Sequence, residues 1–312
     1  MTESEKSGTQ EDRKTRLTVL VALSANLIIA VAKAVGGLIA GSPALLSEAA
    51  HSVADSLNEV FLLAALHRSR RPADRQHPFG YGKERFFWSL LAAVGIFVMG
   101  GCFSFFQGFE ALTGPETQES TTGYVAGLVV LGVALLAEGA SLVRAVLQVR
   151  AQPGKGIGSD PALRTVLAED STAVLGVLLA AGGMVLHMVT GDVVWEASAS
   201  LAIGALLVYV AFGLGKSARE QLIGEAVDPE LRDDILELLE EQPEIDYVAA
   251  LYTMQLGMDS TLVAARVDLV PGIDSEHLEL VSERIKDTIK DKWPEADQVF
   301  LDVVEVPLRV RE

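Results

Sequence analysis

Cysteine is nearly absent. Cys102 is the only one in 312 residues, which excludes an intrachain disulfide and a thiolate metal cluster. No glycine-rich phosphate loop occurs, which argues against direct ATP coupling. No serine, cysteine or metal-hydrolase constellation points to an enzyme. The first stretch, MTESEKSGTQEDRKTR, lacks a signal peptide's charged start, short apolar run and cleavage site. Its mixed polar composition predicts a disordered tail over residues 1–15. Lys and Arg are also missing from three connections, GSP, TGPETQESTT and TGD.

Half of the residues are hydrophobic, yet the formal net charge is −17. Residues 217–312 hold 24 Asp and Glu against 9 Lys and Arg, which accounts for nearly all of that charge. An acidic domain speaks against nucleic-acid binding and for solubility and attraction of cations. The first two thirds are nearly neutral and contain six apolar segments, near 17–40, 43–66, 87–112, 123–148, 162–188 and 192–214. Each is long enough for a hydrocarbon core, which takes about 20 residues. The connections without Lys or Arg follow segments one, three and five, whereas basic residues gather at 13–16, 68–85, 150–155 and 216–219. This asymmetry puts both termini in the cytoplasm. The expected fold is a membrane all-α domain of six transmembrane helices over 16–215, followed by a small cytosolic α+β domain over 216–312.

The C-terminal part reads helix, strand, strand, helix, strand (αββαβ). DPELRDDILELLEEQP opens with an acidic turn and has helical periodicity. DYVAALYTMQL and STLVAARVDLV are β-rich runs separated by the hairpin signal GMD. SEHLELVSERIKDTIKDKW is an amphipathic helix and QVFLDVVEV a last strand, so a two-layer sandwich follows.

The second apolar segment carries chemistry. Glu48, His51, Asp55 and Asn58 lie within roughly 80° of one another on one face of a helix. An ionisable group at mid-bilayer costs about 2.5–3.5 kcal/mol on insertion scales, so a cluster marks an interior path. Imidazole with carboxylate is the ligand set of a borderline divalent cation such as zinc. Lys33 in segment one and Glu138 in segment four are suited to pair, which offsets the burial of both. His187 and His67 near segment ends read as interfacial.

SPALLSEAAHSVAD, the later DRQHPFGYGK run and the six-span layout with a soluble C-terminal domain together resemble the cation diffusion facilitator family. The similarity extends over nearly the whole chain after the tail. SEAAHSVAD with LAEDSTAVLG and HPFGYGKERF is most similar to the branch that includes zinc transporter nine and its bacterial relatives. The resemblance implies a homodimer in a lipid bilayer that moves Zn2+ or a related divalent ion out of the cytosol against protons. Zn2+ would then be the transported substrate, with no cofactor. It also implies a metallochaperone-like dimerisation fold for residues 216–312. The short-loop layout favours a plasma membrane.

In that family the transport site takes two ligands from span two and two from span five. His51 and Asp55 match the first pair. Aligned on its carboxylate, Asp170 matches one of the second, but Val166 stands where a His or Asp is usual. Glu169, about 100° away from Asp170 on an ideal helix, or Glu48 is left to complete the shell, or else a bound water. The resemblance raises two further sites. Asp74 and His77 begin a loop metal motif whose last histidine is replaced by Tyr81, so a structural turn is the alternative. In the C-terminal domain only His277 and Asp302 stand at ligand positions, against an acidic surface with no specific site. The family's lysine at Lys83 pairs with an acid whose place is taken by Gly224, with Glu225 beside it. The leading reading is proton-coupled divalent-metal export, with Mn2+, Fe2+ or Co2+ as alternative ions. A non-transporting, metal-responsive membrane regulator is the competing class.

Overall fold

The structure, a computed structural model, describes residues 3–114, 121–150, 161–258 and 260–305. Lys155, Asp259 and most of the TGPETQESTT connection lie outside these, as do the side chains of Arg13, Lys14, Arg16 and Val166. The chain divides into two units. One contains the residues up to Ala64 with Trp88–Lys216; the other contains Ala65–Phe87 with the residues from Ser217 onward.

The first unit is helical. Its elements are α1 (Glu3–Ala40), α2 (Pro43–Arg68), α3 (Glu84–Gly95), α4 (Phe103–Thr113), α5 (Thr121–Arg150), α6 (Pro161–Thr190) and α7 (Val194–Ile223). A π-helical segment, Ile96–Cys102, joins α3 to α4 without a break, so the expected third span is not a single α-helix. Among the described residues, five stretches are long and apolar enough to cross a membrane: Leu23–Ala40, Glu84–Thr113, Thr122–Leu147, Leu167–Thr190 and Val194–Ile223. The expected second span, α2, has the length (26 residues) but not the apolarity. Ser47, Glu48, His51, Ser52, Asp55, Ser56, Asn58 and Glu59 dilute it. The tail expected to be disordered is helical from Glu3 and continuous with the first span. Helix propagation from an existing span needs no new nucleus, and residues 3–15 contain no proline.

Burial in this unit is inverted relative to a water-soluble protein. Leu136 is 77 % exposed and Tyr209, Phe212 and Ile28 are exposed too, whereas Lys33 and Glu48 are fully buried. A hydrocarbon solvent favours that arrangement, because polar groups must find partners inside the bundle. The apolar core lies around Leu45, Leu131, Val177, Met184, Ile203 and Leu207.

The second unit has the expected order: α8 (Pro229–Glu240), β1 (Ile245–Gln255), β2 (Thr261–Leu269), α9 (Ser275–Lys292) and β3 (Gln298–Val303). β1 and β2 form an antiparallel hairpin, with Leu251 opposite Ala265. β2 and β3 are parallel, with Ala265 opposite Leu301, and α9 makes the crossover that parallel pairing demands. Ile235 and Leu239 of α8 and Ile285 and Ile289 of α9 pack with Val263 and Val267 of β2 in one core. Asp274 caps α9 by accepting the His277 backbone N–H at 2.8 Å.

Candidate metal-transport site

α2 starts at a sharp corner. Gly41 takes a positive φ of 69° just past α1, a conformation suited to glycine. Ser42 then caps α2, its Oγ accepting the Leu45 backbone N–H at 3.2 Å, and Pro43 occupies the first helical position. This fixes the direction of the helix that carries the polar face.

One turn along α2, Glu48 meets Lys33 of α1. The Lys33 ammonium donates to Glu48 Oε2 at 2.9 Å, to Ser52 Oγ at 3.0 Å and to Glu138 Oε1 of α5 at 3.0 Å. All three donors of the ammonium are used. The Lys33–Glu138 pairing read from the sequence is present, with Glu48 and Ser52 as unforeseen members. Glu48, expected as a possible metal ligand, has its carboxylate committed to the nearest full cation. Its Oε1 lies against Gly176 of α6, where a Cβ would collide with it. Gly176→Ala is therefore expected to displace Glu48 from Lys33 and to destabilise the protein by about 1–3 kcal/mol, as overpacking does. Thermal unfolding in detergent would measure the change.

His51 and Asp55 follow on the same face. His51 Nδ1 is 3.6 Å from Asp55 Oδ1. Asp55 is within electrostatic reach of His51, Lys33, Glu48 and Asp170. Accessibility rises along the helix: the Glu48 side chain is fully enclosed, that of His51 is 6 % exposed and that of Asp55 33 %. The polar track is closed toward the start of α2 and open toward its end.

α6 contributes both expected carboxylates, with their orientations distributed differently from the sequence reading. Glu169 faces α2, accepting from Asn58 Nδ2 at 3.2 Å, and senses the charges of Asp55, Asp170 and Glu59. Asp170 turns to α5, accepting from Ser141 Oγ at 3.0 Å, with Arg144 nearby. Glu59 accepts from Asn26 of α1 at 2.9 Å. Among the described residues no three His, Cys, Asp or Glu converge in the geometry of a bound ion. The groups are instead held apart by Asn58 and Ser141.

His187, in the last turn of α6, is buried, with its Nδ1 3.0 Å from Glu196 Oε1. Glu196 escaped the sequence reading. Its signal was an acid in the first turn of an apolar helix, whose N-terminal amides favour it.

In the second unit, Asp74 is a turn residue. Its Oδ1 accepts the Gln76 and His77 backbone N–H groups, and its Oδ2 the Tyr81 hydroxyl at 2.7 Å. Tyr81, and after it the His77 N–H, hold this carboxyl down at about 2. His77 Nδ1 is 3.5 Å from Asp74 Oδ1. Lys83 Nζ lies 3.6 Å from the Met254 sulfur, and no Lys83–Glu225 ion pair occurs among the described residues. Asp302 is paired with Arg266 at 3.0 Å, while His277 sits exposed in the first turn of α9.

The profile of the cation efflux transmembrane domain matches residues 19–223. The Xenopus laevis proton-coupled zinc antiporter SLC30A9, mitochondrial, is 33 % identical over 259 residues, which is 80 % of this chain and 46 % of the relative. Metal tolerance protein C4 of Arabidopsis thaliana is 32 % identical over 291 residues, 90 % of this chain and 62 % of the relative. The manganese efflux system protein MneP of Bacillus subtilis is 24 % identical over 305 residues, 94 % of this chain and 97 % of the relative. The chain thus spans about half the length of the animal relatives it matches.

Proposed function

Because the chain belongs to the cation efflux family, we propose that it is a proton-coupled antiporter exporting divalent metal ions, Zn2+ foremost, from the cytosol. It is a multi-pass membrane transporter and not an enzyme. The observation that carries the finer reading is the His51–Asp55 pair, one turn apart on a helix whose polar face is buried among apolar spans. His51, Asp55 and Asp170 bind the transported ion, and Glu169, brought to α2 by Asn58, completes the shell. Glu48 serves Lys33.

Such ligands bind metal as carboxylate and neutral imidazole, so protons and metal compete for them. Protons arriving from the far side displace the ion, and their loss on the cytosolic side restores the site. The graded exposure from Glu48 to Asp55 fits a conformation open to one side. The bias of Lys and Arg supports a reading with that side, and both termini, in the cytoplasm, and the short-loop layout supports a plasma membrane as its home. The residues after 216 provide the contact of a homodimer.

A second reading changes only the ion. One imidazole among several carboxylates is a harder donor set than two imidazoles, and the Bacillus subtilis relative is named for manganese efflux. Reconstitution in proteoliposomes with Zn2+, Mn2+, Fe2+ or Co2+ and an imposed pH gradient separates these readings. Zn2+ flux that rises with the gradient is expected. Flux of Mn2+ alone would change the ion, and flux indifferent to pH would remove the exchange.

A further inference from the structure

Four polar side chains from four parts of the chain meet where α2 begins and α6 ends: Ser42, Tyr124 of α5, His187 of α6 and Glu196 of α7. Each is at most 3 % exposed. His187 Nδ1 is 3.0 Å from Glu196 Oε1 and 3.3 Å from the Tyr124 hydroxyl. The Ser42 hydroxyl donates to Glu196 Oε2. The Tyr124 and His187 rings meet edge to face, 5.5 Å between centroids. None of these groups belongs to the polar track of Glu48, His51, Asp55 and Glu169. The cluster nevertheless ties together the α1–α2 corner, α5, α6 and α7 at the end where that track is closed.

The charges explain what the cluster is suited to bind. A buried carboxylate is stable only if its charge is met, and the Ser42 hydroxyl meets it in part. His187 Nδ1 lies 3.0 Å from Glu196 Oε1, so a proton taken up by the ring makes an imidazolium–carboxylate couple of zero net charge. Two further titratable groups at this end, Asp192 in the turn between α6 and α7 and Glu110 of α4, are exposed. Asp192 is already used by the Val194 N–H at 2.9 Å.

We propose that His187 and Glu196 form a proton-binding site separate from the metal site, and that a proton taken up there holds this end of the bundle closed. The proposal deepens the exchange reading and rests on it. The proton comes from the side of the turns without Lys or Arg. Its binding draws α6 and α7 onto the α1–α2 corner and commits the carrier to the opposite opening. Acid on that side then speeds the return step of the cycle without competing for the metal ligands.

The test is metal flux in oriented proteoliposomes, with outer and inner pH varied independently, for the unmodified protein, Glu196→Gln, His187→Gln and Ser42→Ala. Glu196→Gln removes the partner charge, so half-maximal flux is expected to move to a more acidic outer pH by about one unit or more. His187→Gln is expected to flatten the outer-pH profile. Ser42→Ala removes a single hydrogen bond to the carboxylate, so it moves the midpoint less and toward a less acidic outer pH, and guards against misfolding of the other two. The inner-pH profile and the equilibrium affinity for Zn2+ remain unchanged in all three. Outer-pH profiles that superpose on the unmodified protein's would overturn the proposal. Flux of the unmodified protein that ignores pH on both sides would overturn the exchange reading itself. Deuterium exchange at the imidazole C2 of His187, followed against pH, needs no transport. Its profile should differ between Glu196→Gln and the unmodified protein, and coincident profiles would refute the couple.

Discussion

Asp55→Ala is expected to abolish metal transport while the protein still inserts and folds. Asp55 is the more accessible half of the His51–Asp55 pair, and in the proposed site its carboxylate would supply both a ligand and the negative charge that attracts a divalent ion. Loss of groups that merely orient metal ligands lowers affinity 10–100-fold, so loss of a direct ligand should lower flux by more than about 100-fold. Stability should move the other way. Asp55 stands within electrostatic reach of Glu48, Glu59, Glu169 and Asp170, and removing one of several like charges relieves repulsion. The diagnostic result is therefore flux at background with a melting temperature equal to or above that of the unmodified protein. Flux near the unmodified level would remove Asp55 from the site.

Lys33→Met should have the largest effect on stability. The ammonium is fully enclosed and holds Glu48, Ser52 and Glu138 together across three helices. Without it the buried Glu48 carboxylate and the half-buried Glu138 carboxylate are left with no counter-charge. Breaking a buried ion pair from one side costs about 3–5 kcal/mol, a large part of the stability of an ordinary domain. The substitution should cut the yield of monodisperse protein and lower the unfolding temperature sharply. Adding Glu48→Gln and Glu138→Gln neutralises the remaining charges and should restore much of the loss, because replacing a whole buried pair is far milder than breaking it. A stable Lys33→Met protein would mean that the cluster contributes little.

The sequence made the apolar spans and the αββαβ order legible because both rest on periodicity within one segment. His51 with Asp55, and Lys33 with Glu138, were legible because a charge inside an apolar run has few alternatives. What it left hidden depends on how helices rotate against one another. Glu169 and Asp170 are neighbours on α6, and only the packed bundle shows that Glu169 meets Asn58 while Asp170 meets Ser141. His187 and Glu196 flank a glycine turn on different helices, so no single helical wheel contains both. Tyr81 looked like a lost ligand, and its hydroxyl proves to complete the hydrogen bonding of Asp74.

Residues 65–87 are far in sequence from residues 217–312 yet fold in the same unit. The Phe79 ring meets that of Phe300 edge-on, 6.4 Å between centroids, and the Gly82 backbone lies against Leu256 and Gly257. The α/β unit is therefore not a cassette that begins at residue 217. A chimera that exchanges only the C-terminal segment with a relative would confront a foreign strand with a native strap. Grafts and excised fragments of this protein should carry Ala65–Phe87 along with the tail it clasps, joined by an artificial linker where the helices are removed.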